Sequence, residues 1–356
     1  VFAHDTPRIP LNSRTLVARN RSFRVVGVPK LNSGTLVAIV ALVLSALTVP
    51  AAPPALAQPA ASPGGAHITG IEQVTDRWQK ISVYSPAMDK VIVNDVFRAP
   101  DNAKAPIFYL LNGADGGEDN KGWFGLTDIP GFFGDKKVNV VSPIGGRSSY
   151  YTDWIADDPV LGRNKWQTYL TRELPPLMDK ELNSNGLNAI GGLSMSGGAA
   201  IDLAIQAPGL YKAVGSYSGC PATSQGKQYT QTVLTVLGGG GNATNMWGPE
   251  GSPQWLAHDP SLNAGKLKGV AVYAAASAGG VGAVDNLPPG FPTPAGGLLV
   301  EGITLDCTRQ FVDAAKAAGV PVTFIERPEG AHTWGLFDSE MRESWNLVIG
   351  PALGVK

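Results

Sequence analysis

The sequence predicts an α/β fold: a single doubly wound, mostly parallel sheet with helices on both faces. Three observations predict it. Apolar runs are short and continuous, as suits strands buried on both sides. Stretches of helical character fall between them, so that strand and helix alternate. One junction is a glycine-rich strand-to-helix turn that carries serines.

The strand runs occupy residues 105–111, 138–142, 187–193, 213–217, 270–275 and 322–326, and helical character marks 166–182, 199–206 and 304–318. In an open sheet of this kind, sites gather at the C-terminal ends of the strands. Residues 75–356 suffice for one buried core, and α/β chains of this size commonly form one domain. Ahead of it, the tract from Gln58 to Ala66 is rich in Pro, Ala and Gly, so residues 58–74 are expected to be a flexible linker.

Residues 1–57 open with Arg8, Arg14, Arg19, Arg21, Arg24 and Lys30 against one acid, continue through an apolar run at 36–49, and end on Ala55-Leu56-Ala57. That order is a secretory signal peptide with cleavage after Ala57. The apolar run falls short of the about 20 residues that a membrane span needs. A secreted, cell-envelope protein is therefore expected. Because the first methionine is Met88, translation is expected to start at a non-standard codon, for example near Val25 or Val28, or upstream of Val1.

The whole chain has a formal net charge of −1, but residues 58–356 hold 22 basic against 28 acidic residues. An acidic chain without basic runs excludes nucleic-acid binding. The glycine run 238–241 is not followed by Gly-Lys-Ser/Thr, which makes it a loop rather than a phosphate cradle. With two cysteines and four histidines in all, neither a metal cluster nor a cofactor is expected. In a chain addressed to an oxidising compartment, Cys220 and Cys307 are expected to form a disulfide. It would close a loop containing Glu301 and stabilise the fold by about 4–5 kcal/mol.

The run Ala189-Ile190-Gly191-Gly192-Leu193-Ser194-Met195-Ser196-Gly197-Gly198-Ala199-Ala200 carries the chemistry. A serine hydroxyl is a weak nucleophile, so enzymes lift it onto a sharp turn and set a base beside it. Two registers of Gly-x-Ser-x-Gly fit with a serine replacing one glycine, centred on Ser194 or on Ser196. Ser194 is preferred because it keeps the glycine two positions before it and directly follows the strand. Such an elbow belongs to the α/β-hydrolase fold, where the order is Ser, then Asp or Glu, then His. His4 lies in the leader, His67 in the lead-in and His258 in a polar loop, which leaves His332 on a loop after the last strand. Between them Asp285, Glu301, Asp306 and Asp313 compete as the acid. Asp306 and Asp313 fall on the expected helix, so Asp285 and Glu301, which bracket the Pro/Gly-rich loop 286–297, are preferred.

Five ordered segments are similar to the antigen 85 family of mycolyltransferases: Gly192-Leu193-Ser194-Met195-Ser196-Gly197-Gly198, Gly145-Gly146-Arg147-Ser148-Ser149-Tyr150-Tyr151-Thr152-Asp153-Trp154, Lys165-Trp166-Gln167-Thr168-Tyr169-Leu170-Thr171-Arg172-Glu173, Met246-Trp247-Gly248-Pro249 and His332-Thr333-Trp334. The resemblance implies Ser194 as nucleophile, Glu301 of the Glu301-Gly302 pair ahead of a helix as acid, and His332 as base. It also implies an oxyanion hole built from the backbone N–H groups of Met195 and Ala114, donors aimed at developing charge. At the sugar site the chain departs from the pattern. Asn112 stands where trehalose-binding members have Asp, and Asp115 where they have Arg. Trp334 matches the tryptophan beside the histidine, and its ring can stack on a sugar or simply pack. Asn112, Asp115 and Trp334 are the expected substrate contacts.

The implied function is transfer of a mycolyl group from trehalose monomycolate, through an acyl-serine, to a trehalose-linked or other cell-wall hydroxyl. A secreted carboxylesterase using water is the nearest alternative. In another class stands a surface binding protein of the fibronectin-binding type, with which antigen 85 relatives are associated.

Overall fold

The computed structural model describes residues 65–286 and 295–355. The expected signal peptide, residues 1–57, lies outside the described residues.

Among the described residues, nine strands form one sheet. The antiparallel part is β1 (His67–Gln73), β2 (Trp78–Ser85) and β3 (Lys90–Phe97). The parallel part comprises β4 (Ala105–Leu111), β5 (Asn139–Pro143), β6 (Ser184–Leu193), β7 (Tyr211–Tyr217), β8 (Ala271–Ser277) and β9 (Val322–Arg327). The spatial order is β1-β2-β3-β5-β4-β6-β7-β8-β9, with β3 antiparallel to β5. This places the ends of β4 and β6 side by side in mid-sheet.

Every residue of β4 is buried. Its side chains alternate between two cores: Ile107, Tyr109 and Leu111 join one with Trp166 and Ile190, and Phe108 and Leu110 join the other with Phe133 and Trp345. A strand covered on both faces must be apolar throughout, and this is why its run is continuous. The helices that matter for the site are α1 (Met195–Gln206), α2 (Ala295–Ala317) and α3 (Trp334–Ser344).

Two expectations are corrected. The stretch read as linker, 58–74, includes β1, an edge strand exposed along nearly its whole length and held by backbone pairing such as Ile71 with Ile81 of β2. An exposed strand leaves no apolar run to read. The helix expected over 304–318 begins at Ala295, so Glu301 lies inside α2 and not ahead of it. Gly296, Gly297 and Gly302 depress local helix propensity, and tertiary packing overrides it. Gly297 permits that packing: a Cβ there would come within 2.3 Å of the Ala331 carbonyl oxygen, on the loop that carries His332.

A disulfide joins Cys220, in the loop after β7, to Cys307 on α2, with the Cα atoms 4.9 Å apart. Among the described residues, no helix is long and apolar enough to cross a membrane.

Candidate active site

β6 ends at Leu193 and α1 begins at Met195, so Ser194 occupies the turn between them. Its backbone is held at φ 52° and ψ −122°. Two hydrogen bonds impose that conformation: the Ser194 N–H donates to the Tyr217 carbonyl at 2.9 Å, and the Gly197 N–H donates to the Ser194 carbonyl at 3.0 Å. Ser196, the rival centre of the elbow, is wholly buried. Its Oγ accepts from the Leu193 N–H at 2.9 Å and lies 3.1 Å from the Leu111 carbonyl oxygen, to which it can donate. That hydroxyl closes the turn, and the Ser194 hydroxyl faces His332.

His332 Nε2 lies 2.8 Å from Ser194 Oγ, and His332 Nδ1 lies 2.6 Å from Glu301 Oε1. Glu301 is fully buried. Its Oε2 accepts from the Ser277 N–H and from Ser218 Oγ, each at 3.1 Å. A carboxylate that receives donors on both oxygens leaves Nδ1 as the protonated nitrogen and Nε2 free to accept from Ser194.

The loop carrying His332 is braced by Asp285, the other preferred acid. Asp285 is buried, and its Oδ1 accepts from the Ala331 N–H at 2.9 Å and from Thr333 Oγ1 at 2.7 Å, the residues on either side of His332. Asp306 pairs with Lys227 at the surface, and Asp313 is exposed. His258 lies away from the site, buried against Asp202 at 2.7 Å and stacked on Trp247. His67 is exposed on β1, and His4 lies outside the described residues.

The loop after β4 reaches the elbow. A Cβ on Gly113 would stand 3.9 Å from Ser194 Cβ, so the next residue, Ala114, adjoins the nucleophile. The Ala114 carbonyl accepts from the Ser148 N–H at 2.9 Å, which fixes the loop. Met195 opens α1, where backbone N–H groups point out of the helix and favour negative charge.

The expected substrate contacts divide. Asn112 is buried: its Nδ2 donates to the Pro143 carbonyl at 3.0 Å and to Ser142 Oγ at 3.2 Å, and its Oδ1 accepts from the Trp123 N–H at 3.2 Å. Its amide thus ties the end of β4 to β5 and to the Trp123 backbone. Asp115 is partly exposed, with Oδ1 accepting from the Gly117 N–H at 3.1 Å. Trp334 is half-buried and packs edge-on against Trp123 and Phe337. Among the described residues, no cluster of His, Cys, Asp or Glu could hold a metal ion.

The family model for Esterase ("Putative esterase") matches residues 85–344. The diacylglycerol acyltransferase/mycolyltransferase Ag85A of Mycobacterium tuberculosis (strain ATCC 25618 / H37Rv) is 32% identical over 274 residues, covering 73% of this chain and 77% of that protein. The chain belongs to the antigen 85 mycolyltransferase family. Ag85C of Mycobacterium avium is 33% identical over 244 residues, covering 65% of this chain and 67% of its own length. The crystal structure of Mycobacterium tuberculosis MPT51 (FbpC1) shares the fold, with TM-score 0.67 at 24% identity over 78% of this chain and 100% of that one. As an antigen 85 chain, the protein is an enzyme of the acyltransferase and esterase class.

In this antigen 85 chain, two polar residues of the site escaped the sequence reading. Ser218 follows β7 and hydrogen-bonds Glu301. Glu340 of α3 lies buried behind it. Its signal was available: Leu336, Phe337, Glu340, Met341 and Ser344 fall at helical spacing on one face, which puts a carboxyl on the buried side of the helix.

Proposed function

We propose that the protein transfers a mycolyl or similar long-chain acyl group from a trehalose monomycolate-type glycolipid to a hydroxyl acceptor of the cell envelope, through an acyl-Ser194 intermediate. The observation that carries this is the unbroken hydrogen-bond chain from Ser194 through His332 to Glu301, in a chain of this family. In the first half-reaction Ser194 Oγ attacks the ester carbonyl carbon as its proton passes to His332 Nε2. Negative charge moves to the carbonyl oxygen, where the Met195 and Ala114 N–H groups receive it. Collapse breaks the bond to the sugar oxygen, and His332 returns the proton to that leaving group. An acceptor hydroxyl then gives its proton to His332 and attacks the acyl-serine carbonyl; collapse breaks the acyl–Oγ bond, and His332 returns the proton to Ser194 Oγ. Glu301 holds Nδ1–H throughout and steadies the imidazolium. Ping-pong kinetics follow.

Secretion fits this assignment: residues 1–57 act as the signal peptide and deliver the enzyme to its lipid substrates. The test is incubation of the purified protein with trehalose monomycolate beside Ser194→Ala, with the lipids resolved by mass. Trehalose dimycolate formed only by the unsubstituted protein is the expected result. Free mycolate alone would make water the acceptor and the protein a carboxylesterase. No turnover and no labelling by a serine-directed phosphonate would leave the binding-protein reading instead.

A further inference from the structure

Ser218 stands between two buried carboxyl groups. Its Oγ is 3.1 Å from Glu301 Oε2 and 3.3 Å from Glu340 Oε1. Both glutamates are fully shielded from solvent. A hydroxyl owns one proton. If both carboxyls were anions, only one could receive it, and the other would face the lone pairs of Ser218. The contacts of Glu301 decide the direction: Oε1 meets His332 Nδ1–H and Oε2 meets the Ser277 N–H, so Glu301 is an acceptor on both oxygens. Ser218 therefore donates to Glu301, and its own oxygen is left to accept.

We propose that Glu340 is a positioning residue that acts as a neutral acid: its carboxyl donates to Ser218, Ser218 donates to Glu301 Oε2, and the chain keeps Glu301 oriented as the one negative charge behind His332. This rests on the catalytic assignment of Ser194, His332 and Glu301 above.

The surroundings of Glu340 agree. The groups that face it are Glu301 from α2, Ser218 after β7, Tyr217 from β7, Tyr273 from β8, Arg327 from β9 and Glu343 from its own helix. Arg327 Nε lies 3.8 Å from Glu340 Oε1, beyond hydrogen-bond reach, while Arg327 Nη2 donates to Glu343 Oε2 at 2.7 Å. Among the described residues, the one carboxylate that hydrogen-bonds this cation is thus Glu343; Arg327 Nε, itself buried without a hydrogen-bond partner, faces Glu340 at ion-pair range only. Glu340 Oε2 is buried and finds no hydrogen-bond partner among the described residues. A carbonyl oxygen tolerates that far better than an anion does. Burial first, and the charge of Glu301 second, push the Glu340 carboxyl well above the ordinary glutamate range against the opposing pull of Arg327 and Ser218.

The test has two independent parts. Difference infrared spectra of the full chain against Glu340→Gln at neutral pH should show a carboxylic-acid C=O band that the variant lacks. Absence of that band overturns the proposal, whatever the catalytic residues are. In the second part p-nitrophenyl butyrate serves as the ester probe. Glu340→Ala should lower kcat about tenfold with KM held within about twofold, the weight of one hydrogen bond to a charged group. Glu340→Gln, whose amide donates to Ser218 but cannot ionise, should recover most of that loss. Equal kinetics for the Ala and Gln variants overturns the proposal. Should Glu340→Ala not fold, Ser218→Ala removes the bridge and carries the same expectation. Turnover that survives Ser194→Ala would sink the underlying catalytic assignment instead, and the infrared band would still judge Glu340.

Discussion

His332 Nε2 and Ser194 Oγ meet at 2.8 Å across 138 residues of sequence, and both residues hold left-handed backbone angles, φ 56° and 52°. For a residue with a side chain this region costs on the order of 1–3 kcal/mol and persists only where the surroundings enforce it. Ser194→Gly is therefore expected to abolish ester turnover yet raise stability by about 1 kcal/mol, after the entropy lost to glycine is counted. Ser194→Ala should lose turnover without the gain. Denaturant melts of both variants check this, and a Gly variant less stable than the Ala variant would show an unstrained turn.

Glu301→Gln should be far more damaging than its near-identical shape suggests. The Ser277 N–H and Ser218 hydroxyl both point at the Oε2 position, which draws the amide carbonyl there and turns the NH2 toward His332 Nδ1. The imidazole must then carry its proton on Nε2, the wrong tautomer for a base. A loss of about 10⁴ in kcat with KM little changed is expected, by analogy with the same change in serine proteases. Steady-state kinetics on a chromogenic ester measure it.

The raised carboxyl of Glu340 also sets a pH dependence of stability. An unfolded glutamate ionises near pH 4.3, whereas burial, reinforced by the charge of Glu301, keeps Glu340 protonated well above that. Between the two values the unfolded chain binds fewer protons than the folded one, so stability falls as pH rises and levels off once the folded carboxyl ionises. Glu340→Gln should remove this contribution. The melting temperature of the variant minus that of the unsubstituted protein is expected to climb from pH 5 upward, and a constant difference would contradict the prediction.

Reduction of Cys220–Cys307 reaches the site through the helix that carries Glu301. Loss of a link across an 87-residue separation should destabilise the fold by about 4 kcal/mol on chain-entropy grounds. The paired Cys220→Ser and Cys307→Ser variant should melt earlier and lose kcat before it unfolds. Unchanged kcat across the pre-melt range would separate the bridge from the positioning of Glu301.

Asn112→Asp is not expected to create a sugar contact. The new carboxylate would face the Pro143 carbonyl and give up both donors of the Asn112 amide. A loss of about 2 kcal/mol in stability is expected, with no gain in transfer to trehalose. Thermal melts beside the lipid assay test both halves.

What the sequence reveals follows the physics of burial. β4 is legible to the residue because both its faces are covered, and its bounds match the apolar run. β1 is not, since backbone pairing holds it and its side chains stay in water. β2 is hidden for a related reason, since a half-buried antiparallel strand alternates and leaves no continuous run; β3 is buried over its second half, but the buried polar pair Asn94-Asp95 breaks its apolar run. Ser194 could be placed on its turn from small residues alone. The choice between Asp285 and Glu301 could not be made by spacing, because both are buried carboxylates within the reach of one loop: one grips its backbone and the other its imidazole. Ser218 stayed invisible, since nothing local marks a serine whose partners lie 83 and 122 residues away.

The parallel order of the sheet has a consequence in time. Ser194 follows β6, Ser218 follows β7, Ser277 closes β8 and His332 comes after β9. A chain that emerges N-terminus first from a ribosome thus presents its nucleophile long before its base, and contacts of such long sequence range are late to form. Until the final strand docks, the serine is an ordinary alcohol. Half-made chains are chemically silent toward esters, and activity switches on only when synthesis and folding are both complete.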